Sequence, residues 1–144
     1  MVKTIVTGVD GSPTASAAAR RAAELARAFG ATLHVISAYG RFQMERYQSG
    51  SEEFVYTTED EAAQVAEGVV AALAGDFAEV RFTVKAAEGK PADALVREAE
   101  SLGADLIVVG NKRVQGLGRI LGSIAEDVAH HSTCDVYIAH THQR

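Results

Sequence analysis

Two stretches of the chain bring together residue types that could do chemistry. The first runs Gly110-Asn111-Lys112-Arg113-Val114-Gln115-Gly116-Leu117-Gly118-Arg119-Ile120-Leu121-Gly122-Ser123-Ile124, with glycines interleaved among Lys112, Arg113 and Arg119. Backbone N–H groups left open by glycines, with cations beside them, suit an anion and above all a phosphate. The second stretch is Asp10-Gly11-Ser12-Pro13, turn chemistry that presents a carboxylate. No Ser/His/Asp or paired-carboxylate arrangement can be assembled from the remaining residues, so catalytic turnover is not expected. His130 and Cys134 lie four apart, and His140 and His142 would share one face of an extended strand. A helix followed by a strand does not converge these groups, so no metal is expected, and Cys134 reads as a small apolar residue or loop thiol.

The elements that must position these residues follow from the apolar pattern. Leu106-Ile107-Val108-Val109 offers no polar alternation, which predicts a central strand covered on both faces, as in a parallel sheet between helix layers. Ser123 with Glu126 three residues on is a capping-box signature for a new helix. The glycine run therefore lies between the carboxyl end of a strand and the amino end of a helix, where ligands bind in open α/β sheets and where the helix dipole favours an anion.

Taken in order, Lys3–Val9 reads as a buried strand. Ser12 caps and Pro13 opens a helix that ends at Gly30, and Thr32–Ser37 is a second strand. Residues 39–57 read as a long loop at the carboxyl edge, partly mobile and a candidate lid. Thr58 and Glu61 form another capping box, for a helix that runs to Gly75. Val80–Lys85 alternates, as a half-exposed edge strand does, and Gly89-Lys90-Pro91 opens a helix stopped by Gly103. Cys134–His140 is the last strand. Five strands alternating with four helices predict an α/β fold: a doubly wound, five-stranded parallel sheet with helices on both faces.

Composition narrows the function classes. A chain of 144 residues, 47% hydrophobic and 23% charged, fits one domain spanning 1–144. Nineteen acidic against fourteen basic residues give a formal net charge of −5, which argues against a nucleic-acid or anionic-membrane binder. Met1–Val6 enters a strand directly, with no leader and no run of the ~20 apolar residues that a membrane helix needs, so a cytoplasmic location is expected. The single Cys134 excludes an internal disulfide framework. The turn after the first strand lacks G-x-G-x-x-G, which removes a dinucleotide dehydrogenase. The third strand ends Lys85-Ala86-Ala87 rather than in aspartate, which removes a phosphoacceptor receiver.

The assembled residues resemble the universal stress protein family over essentially the whole chain. The resemblance is carried by Ile5-Val6-Thr7-Gly8-Val9-Asp10-Gly11-Ser12, Leu33-His34-Val35-Ile36, Gly89-Lys90-Pro91-Ala92-Asp93-Ala94-Leu95, Ala104-Asp105-Leu106-Ile107-Val108-Val109-Gly110 and the closing stretch from Gly122 to Ile138. It implies a strand order of 3-2-1-4-5, a stress-response role, and a homodimer made by pairing of the last strand, 135–140. It also implies a site for an adenine nucleotide, with ATP, AMP and cyclic AMP as the candidates.

Family members that bind ATP carry G-x2-G-x9-G-[ST] after the fourth strand. Gly110 matches the first position and Gly122-Ser123 the last. Arg113 stands where the second glycine belongs, and eight residues, 114–121, separate it from Gly122 where the pattern has nine. A side chain there could obstruct the backbone's approach to a phosphate or, being arginine, pair with one. Gly116 and Gly118 restore part of the freedom. By the same resemblance Asp10, with Gly11 beside it, holds the ribose, the backbone at Val35 meets the adenine, and Gly110, Gly122, Ser123 and Ile124 surround the phosphates. The first alternative is a same-fold interaction protein with a degenerate phosphate loop, acting through its dimer and partner surfaces; the second, ranked last, is a weak ATPase or autophosphorylating protein.

Overall fold

The computed structural model describes residues 1–46, 51–111 and 123–141. In chain order the elements are β1 (Thr4–Gly8), α1 (Pro13–Phe29), β2 (Thr32–Arg46), β3 (Ser51–Thr57), α2 (Glu59–Ala74), β4 (Arg81–Glu88), α3 (Pro91–Leu102), β5 (Leu106–Asn111), α4 (Ser123–His131) and β6 (Asp135–His140). Successive side chains of a strand point to opposite faces, and the apolar strands use both. Ile5, Leu33, Val35 and Val108 join one core with the alanines of α1 and with Ala66 and Leu73 of α2. Val6, Ile36, Ile107 and Val109 join a second core with Leu95 and Ala99 of α3 and Ala125 and Val128 of α4. The sheet is thus covered on both faces, as the unbroken apolar runs require.

Five strands pair in parallel, in the spatial order β4-β2-β1-β5-β6. Counting these five alone along the chain, this is the expected order 3-2-1-4-5. The predicted caps of α1 and α2 are present, whereas Ser123, expected to cap α4, is that helix's first residue. Ser12 Oγ accepts the Ala15 N–H at 3.2 Å, and Thr58 and Glu61 complete both halves of their box at 3.1 and 3.2 Å. Gly30 and Gly103 end α1 and α3. Among the described residues β4 pairs with β2 alone, the edge position read from its alternation. Lys85 of β4 forms an ion pair with Glu98, a carboxylate of α3 that is buried.

The expectation of a five-stranded sheet with a loop at 39–57 is corrected. A sixth strand exists, because β2 continues to Arg46 and pairs antiparallel with β3, from Gly40↔Thr57 to Arg46↔Ser51. The cause is legible afterwards: Arg-Phe-Gln-Met-Glu-Arg at 41–46 alternates with the period of a strand, and Phe54-Val55-Tyr56-Thr57 consists of strict strand formers. Residue Gly40 marks the change of partner. The parallel ladder with β4 ends at Tyr39↔Glu88, and Gly40 then takes φ +121°, a left-handed conformation that favours glycine.

Candidate functional site

The chain leaves β1 through α1 to β2 on one side, and returns through β4 and α3 to β5 on the other. The order of connection therefore reverses between β1 and β5, and the crevice outside their carboxyl ends is the position at which doubly wound sheets bind ligands. A buried hydroxyl fixes the spacing of the two strands, since Thr7 Oγ1 donates to the Val108 carbonyl at 2.8 Å.

Beyond β1, Asp10 is exposed and its Oδ1 accepts the Ser12 N–H at 2.9 Å, so the carboxylate shapes the turn that carries it. Gly11 follows in the left-handed region, at φ +86°. Beyond β5, Gly110 has a steric reason to be glycine. A Cβ there would lie 2.9 Å from Thr14 Cγ2, 3.1 Å from the Thr14 carbonyl oxygen and 3.2 Å from Thr141 Cγ2. The first turn of α1 thus rests directly on the end of β5.

Asn111, the last residue of β5, is only 8% exposed, and its side-chain Oδ1 has no hydrogen-bond partner among the described residues. Its backbone carbonyl accepts from Thr141 Oγ1 at 3.3 Å. Alternation along β5 sets Asn111 on the face opposite the one on which Gly110 meets α1. That is the face covered by α3 and α4.

The residues expected from sequence fall into three groups. Asp10, Gly11 and Gly110 lie beyond or at the carboxyl ends of the two strands that bound the crevice. Ser123 begins α4 and is exposed, whereas Ile124 is half-buried and packs on the second core, which leaves its backbone rather than its side chain to face a ligand. The first turn of any helix carries N–H groups without intrahelical acceptors. Val35 is fully buried in the first core, in register with Thr7 and Val84. The residue of β2 level with the end of β1 is Ile36, whose carbonyl accepts the Val9 N–H at 2.9 Å. Arg113, Gly116, Gly118 and Gly122 lie outside the described residues, as does His142. Sequence reasoning passed over Thr14, Asn111 and Thr141 as site residues. For Asn111 the available signal was an amide closing an otherwise apolar strand run.

The model of the Universal stress protein family matches residues 1–140. The chain belongs to this family. It is 35% identical to a universal stress protein of Mycobacterium tuberculosis over 150 aligned positions, covering 96% of this chain and 97% of that one. A universal stress protein of Methanocaldococcus jannaschii is 34% identical, over 96% of this chain and 82% of the relative. Among solved structures, a universal stress protein in complex with cAMP is similar at 33% identity and TM-score 0.71, over 98% of this chain and 99% of that one. A universal stress protein from Archaeoglobus fulgidus in complex with dAMP is similar at 25% identity and TM-score 0.65, over 96% and 98%. As in those relatives, this universal stress protein is a mixed α/β fold. Among the described residues no group of three or more His, Cys, Asp or Glu could hold a metal ion, and no helix is long and apolar enough to cross a membrane.

Proposed function

We propose that this universal stress protein binds an adenine nucleotide as a regulatory ligand at the crevice between β1 and β5. The reading favours a monophosphate, AMP or cyclic AMP, over ATP. The observation that carries it is the likeness, over nearly the whole chain, to a universal stress protein in complex with cAMP. The dAMP-bound relative is a monophosphate complex as well. The shortened run between Gly110 and Gly122, with Arg113 at a glycine position, supports the same preference, because a triphosphate needs the more open loop. In this reading Asp10 and Gly11 hold the ribose and the backbone of β2 at and beyond Val35 meets the base. Gly110, Gly116, Gly118, Gly122, Ser123 and Ile124 present backbone to the phosphate, which Arg113 pairs.

The protein acts as a single domain, in the cytoplasm, as a homodimer through residues 135–140. Supporting the dimer, β6 has β5 as its one paired strand among the described residues, which makes it an edge of the sheet where a strand of a second copy can add. The test is to denature freshly purified protein, identify any released nucleotide by chromatography and mass, and titrate the emptied protein calorimetrically with AMP, cyclic AMP and ATP. Near-stoichiometric binding of a monophosphate, tighter than ATP, is expected. No binding of any of the three overturns the reading in favour of an interaction protein. Light scattering at monomer mass would remove the dimer.

A further inference from the structure

A buried acceptor with no donor is a costly thing for a fold to keep, because the group loses its water and gains nothing in return. Among the described residues Asn111 keeps one at the end of a central strand, where the positions of β5 on the same face, 107 and 109, are filled by isoleucine and valine. An apolar residue of the same shape would remove the penalty. The amide is therefore explained by a donor that arrives from elsewhere. Its position supplies the candidate, because Asn111 ends β5 beside the crevice and on the face where α4 begins, while Thr14 closes the opposite face at Gly110.

We infer that Asn111 contacts the bound nucleotide, its Oδ1 accepting a hydrogen bond from the nucleoside. The inference rests on the functional reading above and adds to it a residue that selects for the nucleoside rather than for the phosphate. A phosphate dianion or a cyclic phosphodiester offers only acceptors, so it cannot satisfy an amide oxygen. The donors that an adenine monophosphate brings are its ribose hydroxyls and its 6-amino group, and a site built to accept such a hydrogen bond discriminates against analogues that lack it.

The experiment uses the full chain, wild type and Asn111→Leu, with four probes: AMP, 2′-deoxy-AMP, 3′-deoxy-AMP and the 5′-monophosphate of purine riboside, which lacks the amino group. Asn111→Leu is expected to weaken AMP about tenfold, equivalent to ~1.4 kcal/mol, with the melting temperature of the nucleotide-free protein unchanged or raised. The analogue that lacks the donor used by Asn111 should bind wild type more weakly than AMP and bind the variant equally to AMP. Unchanged AMP affinity in the variant, or analogue penalties identical in the two proteins, overturns the inference. Should Asn111→Leu instead lower the nucleotide-free melting temperature, Asn111→Asp keeps the acceptor. Retained discrimination among the analogues by Asn111→Asp supports the contact, and its loss means that the donor belongs to the protein's own chain. Wild type that binds none of AMP, cyclic AMP and ATP overturns the functional reading itself, an outcome separate from binding that Asn111→Leu leaves untouched.

Discussion

Strand β5 has a side-chain oxygen at each end, and the chain treats the two in opposite ways. Asp105, just before Leu106, is exposed, yet its Oδ2 accepts the N–H groups of Lys3 at 2.8 Å and Thr4 at 3.0 Å, and its own N–H donates to the Thr4 carbonyl at 2.9 Å. The entrances of β1 and β5 are thereby tied together with groups the chain itself supplies. Asn111, at the exit, is buried with its oxygen unmatched among the described residues. The same strand is closed off at its amino end and left incomplete at its carboxyl end. Under the proposed function, stability and recognition divide along a single strand: polar groups at the entrance are to be read as fastenings, those at the exit as candidates for a ligand.

Three changes would break or sharpen this contrast. The largest effect is expected from Gly110→Val, which forces a branched side chain against Thr14 and Thr141. Urea denaturation should show a loss of about 2 kcal/mol, the usual scale of overpacking, together with weakened AMP binding. Wild-type stability would mean that α1 does not press on the end of β5. Next, Asp10→Ala should lower AMP affinity at least tenfold, ~1.4 kcal/mol, while shifting stability by less than about 1 kcal/mol, since only the bond to the Ser12 N–H is lost. A variant that binds AMP normally would take the ribose role away from Asp10.

The smallest effect belongs to the entrance. Hydrogen bonds from the Lys3 and Thr4 amides hold the Asp105 carboxyl below its ordinary pKa. A carboxylate whose pKa is lowered by folding stabilises the native state above its unfolded value, about 3.9, and that contribution disappears as pH falls through the folded value. Asp105→Asn should therefore flatten the acid limb of the melting-temperature profile below about pH 4, and leave nucleotide affinity unchanged at neutral pH. A loss of AMP binding in this variant would dissolve the distinction between the two ends.

The fold was legible because its signals are local. The run Leu106–Val109, the caps at Ser12 and Thr58, and the stops at Gly30 and Gly103 each announce one element, and strict alternation of strand and helix then leaves few topologies. The hairpin at 40–57 was missed for a different reason. Its alternation was present, but Glu45, Arg46, Glu52 and Glu53 dilute it, and a strand that continues past its first partner has no signature at the point of change. The candidate site was legible only in part. Asp10 and Gly110 lie where strand ends had to be, whereas the contact of Thr14 with β5 at Gly110 and the burial of Asn111 on the opposite face arise from how helices meet the two sides of the sheet, which no window of sequence contains. The side chain of Val35 is committed to the core, so the adenine contact that the resemblance implies falls to its backbone.

The change of partner along β2 has a further consequence. Residues 32–36 are held on one side by β1 and on the other by β4, whereas residues 40–46 are paired with β3 alone among the described residues. At ~3.3 Å per residue, a 15-residue strand reaches about 50 Å, well beyond the ~5 residues common for strands. The outer half can gain or lose paired residues, two at a time, without altering the register of the inner half. Length variation, inserted epitopes and fusion partners are accordingly best accommodated in this arm, where added backbone extends a single ladder.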